Sequence, residues 1–217
     1  MSRGPRDHGD RGGGVPGSPG PVAPDPVDRD AESRADEDRL IERVPIHDGR
    51  VVRLSMDRVR FPDGQEGELE FIRHRGAAAV LPFLDPPGDP DPRVLLIHQY
   101  RYAAGGTIYE VPAGIIDDAD EGWDSCARRE LEEETGYRAG TLRYLGRILT
   151  TPGFTDEVIH LYAAWDLEEG ASDHDADEYL EVVPMPFSQV LDGVRTGRVV
   201  DGKSVAAILH AHCFLTG

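Results

Sequence analysis

Residues 129–137 read Arg-Glu-Leu-Glu-Glu-Glu-Thr-Gly-Tyr. Gly136 is a natural helix stop, because glycine enters the left-handed backbone region at little cost. Asp124 or Ser125 is a suitable N-cap. The spacing therefore predicts a helix over 125–135, about three turns long. On that helix Glu130, Glu133 and Glu134 stand at i, i+3 and i+4 and share one face. Carboxylates so close repel one another unless cations neutralise them. An all-oxygen donor set without Cys or His suits a hard ion, Mg²⁺ or Mn²⁺. Such an ion draws phosphates into reach and activates water. The plain alternative is a solvated acidic face on which Arg129 and Glu133 form an i, i+4 ion pair. The context argues against it. An apolar strand (Ile108 to Val111) and a Pro-Ala-Gly turn lead directly into the helix.

The elements that must hold this helix are legible in outline. Residues 36–43 read as a short charged helix or an extended lead-in. Val51 to Leu54 and Arg58 to Phe61 are strand-like, Pro62-Asp63-Gly64 is a turn, and Glu68 to Arg73 returns as the second arm of a hairpin. Gly76 to Leu84 and Val94 to Tyr100 are apolar enough for central strands, separated by the Pro/Asp/Gly loop 85–92. Thr107–Val111, Leu142–Leu149, Val158–Trp165 and Tyr179–Met185 complete the strands. Phe187, Val190, Leu191 and Val194 recur at helical spacing, as do Val205, Ile208, Leu209 and His212. Pro186 suits the first turn of the earlier helix. Mixed strands flanked by helices give an α/β (α+β) sandwich.

Composition narrows the partners. The 217 residues suffice for one full core with a small appended subdomain. The first 35 residues hold 7 Gly and 6 Pro and no Phe, Tyr or Trp, so a disordered tail over 1–35 is expected. No apolar run reaches the length of a membrane span, and the tail lacks the apolar stretch of a signal peptide. Two cysteines, Cys126 and Cys213, make no disulfide framework, which fits a cytoplasmic, reduced chain. A formal net charge of -18 argues against nucleic acid as a partner. For an anionic phosphate ester the same charge is tolerable, because bound divalent cations dominate such a site locally.

The stretch from Gly114 to Tyr137 resembles the Nudix hydrolase signature: a glycine, an acidic position, then Arg-Glu-apolar-x-Glu-Glu-x-Gly-apolar. Counting back from Arg129 puts the acidic position at Glu121, and counting forward from Gly114 puts it at Asp120. The loop is one residue longer than the usual pattern, and Glu121 keeps the helix side in register. Further motifs resemble the ADP-ribose pyrophosphatase branch: His98-Gln99-Tyr100-Arg101-Tyr102, Tyr109-Glu110-Val111-Pro112-Ala113-Gly114, Thr151-Pro152-Gly153-Phe154-Thr155-Asp156-Glu157, and Asp201-Gly202-Lys203-Ser204. The likeness runs over about residues 46–212. It implies the Nudix fold, a mixed β-sheet sandwiched between helices with an N-terminal β-hairpin subdomain.

The resemblance also implies an activity and a set of roles. The activity is metal-dependent hydrolysis of ADP-ribose to AMP and ribose 5-phosphate, or of another nucleoside diphosphate sugar. A Nudix-like module that binds ADP-ribose without hydrolysing it is the alternative from another class. Glu130 and Glu134 are the expected ligands of Mg²⁺ (Mn²⁺ also suits them), with Glu133 close behind and the Ala113 carbonyl as a further donor. Arg129 would hold a carboxylate in place. The water-activating base would come from the acidic loop 173–181, with Glu178 first and Asp177 and Asp175 as alternatives. Arg101 would contact the substrate's phosphates, and Glu157 would accept from the terminal ribose. The segment 36–73 would exchange with a second subunit of a homodimer, Glu70 facing the partner's site, and 74–217 would form the hydrolase domain. His160 reads as structural, and Cys126 as a packed thiol.

Overall fold

The computed structural model of the chain describes residues 37–50, 52–116, 122–170 and 180–216. In chain order the elements are β1 (Leu40–Asp48), β2 (Arg53–Arg60), β3 (Glu66–Arg73), β4 (Ala77–Pro82), β5 (Arg93–Arg101), β6 (Gly106–Glu110), β7 (Ala113–Ile115), α1 (Trp123–Thr135), β8 (Tyr137–Leu149), β9 (Val158–Glu169), β10 (Leu180–Pro186), α2 (Phe187–Thr196) and α3 (Gly202–Phe214). They form three sheets, ordered β1-β2-β3, β10-β5-β6 and β7-β4-β9-β8. The last is mixed: β4 runs parallel to β9 and antiparallel to β7.

The unbroken apolar run Ala77–Pro82 explains the layering. A strand with no polar side chain must be covered on both faces. Along β4 the side chains alternate. Ala77, Ala79 and Leu81 join a core with Leu96 of β5, Val190 of α2 and Ala207 and Ile208 of α3. Ala78 and Val80 join a second core with Trp123, Cys126, Ala127 and Leu131 of α1 and Tyr162 of β9. The mixed sheet is thus sandwiched between α1 on one face and α2 and α3 on the other, as the fold class requires.

The N-terminal sheet carries its own polar anchor. Asp57 is buried and accepts from Ser55 Oγ at 2.7 Å, from Arg73 Nη2 at 2.7 Å and from Arg43 Nε at 3.3 Å. Arg73 also stands 3.7 Å from Asp156, and Ile72 N donates to the Phe154 carbonyl at 2.8 Å. The last strand of this sheet is therefore fastened to the loop that precedes Glu157.

Several boundaries differ from the sequence reading. The expected hairpin is a three-stranded meander. Residues 40–48, which gave little apolar signal because seven of nine side chains are exposed, form its first edge strand. Pro45 is tolerated there because an edge leaves some N–H positions unneeded. Helix α1 starts at Trp123, with Gly122 as N-cap and no side-chain cap. Asp124 is inside the first turn and accepts instead from the Tyr162 hydroxyl at 2.8 Å. Pro186 is the last residue of β10 and the N-cap of α2, one place before the helical residues begin. Asp91 caps that helix from the 85–92 loop, accepting from Ser188 N and Oγ at 2.9 Å each. The expected tail 1–35 lies outside the described residues.

Trp123 locks the start of α1 by stacking on buried His160, ring centroids 4.4 Å apart. Gly76 makes room for it: its φ is +88°, and a Cβ there would stand 2.5 Å from the Trp123 ring. Gly76→Ala would combine left-handed strain with overpacking, and together these should cost about 2–4 kcal/mol. Urea unfolding is the check. A midpoint equal to wild type would show that Trp123 does not depend on this glycine.

Candidate active site

The buried stripe of α1 consists of Trp123, Cys126, Ala127, Glu130, Leu131, Glu134 and Thr135. Two glutamates therefore ride on the face that packs against the sheet, while Glu133 beside them is half-buried. Burying a carboxylate is costly unless its oxygens find donors. Arg129 Nη1 donates to Glu130 at 2.6 Å and to Glu133 at 3.0 Å, and its Nη2 donates to the Ile115 carbonyl at 3.0 Å. The arginine thus ties the helix to the strand opposite. Ala113 N donates to Glu134 at 3.0 Å. Gly114 leaves the space in which the Glu130 carboxylate lies, since a Cβ at that position would collide with it.

These groups open on a cleft of about 1280 Å³. Its described lining carries Arg50, Arg75, Arg101, Arg129 and Lys203 against Glu130, Glu133, Glu134, Glu157 and Asp201. Among the described lining residues five cations face five carboxylates, even though the chain as a whole carries -18. A divalent cation there would leave the cleft positive and suited to a phosphate ester. Among the described residues, no three His, Cys, Asp or Glu side chains cluster as a closed metal site. What the cleft offers is an open site, Glu130 and Glu134 beside the main chain of Ala113. Magnesium is commonly held in this way, by one or two carboxylates with substrate phosphates completing the shell. The oxygen donors fit a hard divalent ion.

One wall is a charged network around Glu110, which is only 1% exposed. Arg101 clamps it with two bonds, Nε at 2.7 Å and Nη2 at 3.0 Å, and Lys203 also donates to it. Burial alone would push the Glu110 carboxyl up. The hydrogen bonds from Arg101 and the charge of Lys203 outweigh that and hold it below the ordinary carboxylate range. At the other end, Glu157 accepts from Thr150 Oγ1 at 2.7 Å and stands 3.5 Å from His74 Nδ1.

The structure brings Arg129, Glu130, Glu133, Glu134 and Ala113 together, and sets Arg101 and Glu157 on the same cleft. Glu70 is elsewhere, exposed on β3 opposite Met56, and does not line this chain's cleft. Glu178, Asp177, Asp175, Asp120 and Glu121 lie outside the described residues. Cys126 is fully buried, its Sγ 3.6 Å from the Gly114 carbonyl. Sequence reasoning missed His74, Arg50, Arg75 and the Glu110–Lys203 pairing. A separation of 93 positions between Glu110 and Lys203 leaves no local pattern to read.

A family model described as NUDIX domain matches residues 73–206. The methanol dehydrogenase activator of Bacillus methanolicus is 36% identical over 174 residues, 79% of this chain and 91% of that protein. The ADP-ribose pyrophosphatase of Bacillus subtilis (strain 168) is 34% identical over the same shares of the two chains. A solved structure described as an ADP compounds hydrolase superposes with a TM-score of 0.69 at 21% identity, covering 81% of this chain and 92% of its own.

Gly114→Ala should leave a folded protein in which Glu130 is displaced. Wild type should melt higher when Mg²⁺ is added, since an ion that binds the native state stabilises it by mass action. The variant should lose most of that rise in Tm. An equal rise in both proteins would show that the Glu130 carboxylate does not hold the ion.

Proposed function

The chain belongs to the NUDIX family, and from that premise we propose that it hydrolyses the diphosphate of ADP-ribose to AMP and ribose 5-phosphate, using bound Mg²⁺ or Mn²⁺. The observation that carries this reading is the pair of buried glutamates on α1, Glu130 and Glu134, facing a cleft whose opposite wall presents Arg101. The likeness to an ADP-ribose pyrophosphatase over 91% of that enzyme's length supports the substrate.

Glu130, Glu134 and the Ala113 carbonyl would hold the ion, with Glu133 beside them. When bound, the ion supplies charge neutralisation at phosphorus and acidifies a water. Arg129 keeps Glu130 and Glu133 aimed, through its bonds to both and to the Ile115 carbonyl. Arg101 is held in its fork by Glu110 and turns its remaining N–H groups to the substrate's phosphates. Glu157 accepts from the terminal ribose. Glu178, or failing it Asp177 or Asp175, accepts the proton of the attacking water.

The reading includes a homodimer in a cytoplasmic setting. Cys126 and Cys213 form no disulfide, and no described helix is long and apolar enough to cross a membrane. On the N-terminal segment 36–73, Val44 and Ile46 of β1, Leu69 of β3 and Phe61 of the turn after β2 are exposed apolar side chains. Val44 and Ile46 of the edge strand offer apolar surface that a partner would cover. A second copy lying on this sheet would bring Glu70 towards the partner's cleft, with 74–217 as the hydrolase domain.

Glu134→Gln should keep the fold and lower turnover at saturating Mg²⁺ by about 100-fold or more, about 2.7 kcal/mol of barrier. A loss under tenfold would remove Glu134 from the metal site. Products released from ADP-ribose, ADP-glucose and GDP-mannose test the substrate, with AMP from ADP-ribose expected at the highest kcat/KM. Preference for another nucleotide sugar would move that assignment, and no release from any would leave a binding module.

The dimer is checked by light scattering at micromolar concentration. Wild type should have twice the monomer mass, and replacing Val44 and Ile46 by aspartate should halve it. A wild type that is monomeric and fully active would exclude a shared site.

A further inference from the structure

The cations that line the cleft fall into two sets. Arg101, Arg129 and Lys203 make ion pairs with Glu110, Glu130, Glu133 and Asp201 of the walls already described. Arg50 and Arg75 belong instead to the N-terminal sheet and its exit, at the end where His74 meets Glu157. Strand register brings them together. Asp48 pairs with Arg53 across the β1–β2 turn, and Arg53 pairs with Arg73 of β3, so the turn that carries Arg50 lies beside residues 74 and 75. Arg50, Arg53, Arg73 and Arg75 therefore gather at one end of this small sheet. Arg53 is 3.3 Å from Asp48, and Arg73 donates to Asp57 at 2.7 Å. Arg50 and Arg75 line the cleft.

The backbone around each of them is fixed. Gly49 N donates to the Val52 carbonyl at 2.9 Å and closes the turn with Arg50 at its tip. Arg50 pairs with no carboxylate among the described residues. Arg75 is pinned from both sides. His74 N donates to Asp156 at 2.8 Å, and Gly76 N donates to His74 Nδ1 at 3.1 Å. Gly76 is in turn fitted against the Trp123 ring. Because Nδ1 accepts the Gly76 N–H, the neutral imidazole carries its proton on Nε2, which makes His74 a donor as well. Two guanidinium groups and an imidazole N–H thus share one end of the cleft. The carboxylate among them is Glu157, which accepts from Thr150 Oγ1 at 2.7 Å and stands 3.5 Å from His74 Nδ1.

Guanidinium forks match the oxygens of a phosphate. On the proposed reading the diphosphate is already met by Arg101 and a bound ion. A second set of donors, at the end where Glu157 meets a sugar, fits an anion that ADP-ribose lacks. We propose that Arg50, Arg75 and His74 form a subsite for a third phosphate, a monoester on one of the two sugars, so that the preferred substrate is a phosphorylated nucleoside diphosphate sugar. This rests on the reading that the cleft hydrolyses nucleoside diphosphate sugars. The reaction is unchanged in kind: water adds across the diphosphate, one P–O bond breaks, and the third phosphate leaves with the half that carries it. Glu157 makes the subsite selective. It repels a bare anion and accepts from the hydroxyls of a sugar that brings one.

The test is calorimetric binding in EDTA of three probes: ADP-ribose, ADP-ribose bearing a 2′-phosphate on its adenosine, and ADP-ribose bearing a 1″-phosphate on its terminal ribose. One of the two phosphorylated probes should bind wild type about tenfold or more tightly than ADP-ribose does, the effect of one good charge-assisted contact. The probe that gains affinity identifies the sugar. With Mg²⁺ the same probe should show a KM lowered in parallel. Replacing both arginines, Arg50→Gln with Arg75→Gln, should shrink the gain to about twofold or less. Both side chains are exposed, so the double variant should fold. Wild type that binds both phosphorylated probes no more tightly than ADP-ribose would overturn the subsite without any variant, and would leave the hydrolase reading standing. A gain that survives the double substitution would overturn it too, because the third phosphate would then be held elsewhere. Wild type that neither binds nor cleaves any of the three would overturn the subsite and the hydrolase reading together.

Discussion

Two carboxylates from one helix turn, Glu130 and Glu134, are buried at 8% and 4% exposure against the sheet. Like charges in a poorly solvated place repel strongly, and neither can be left without donors. The rest of the site answers that constraint. Arg129 supplies a guanidinium to one, the Ala113 N–H is spent on the other, and Gly114 gives up its side chain so that Glu130 can lie against the strand. On the proposed reading, a divalent cation would complete the neutralisation. The machinery that makes the burial tolerable is thus the machinery that makes the ion useful.

The helix must not move for this to hold, and its packing shows why it does not. Trp123 stacks on His160 at one end, Leu131 is fully buried in the middle, and Gly136 closes the helix with a left-handed φ of 74° at the other. Across the cleft, the Glu110 network performs the same service for the opposing cations. Arg73 and Ile72 fasten the N-terminal sheet to the loop that carries Glu157. Three separately anchored walls meet at one cleft. The five cations and five carboxylates that line it stand in a chain that is otherwise strongly acidic.

What could be read in advance follows from how local each signal is. The helix end at Gly136 and the shared face of Glu130, Glu133 and Glu134 depend on residues within one or two turns, so the sequence carries them whole. The buried run of β4 was equally plain, since nothing polar interrupts it. The first strand was obscure because its residues are mostly charged and solvated, and pairing, not burial, makes it a strand. The start of α1 was misjudged because the helix uses no side-chain cap: Asp124 is spent on Tyr162. Lys203 and Glu110 could be seen as motif neighbours of their own segments. Their contact could not, because only the return of α3 to the sheet brings them together.

The central claim is that Glu130 and Glu134 hold a divalent ion beside Ala113. It is tested most directly by anomalous scattering from crystals soaked in Mn²⁺. The account predicts a peak bonded to both carboxylates and to the Ala113 carbonyl. A peak held by other residues, with Glu130 and Glu134 still clamped by Arg129 and the Ala113 N–H, would contradict it.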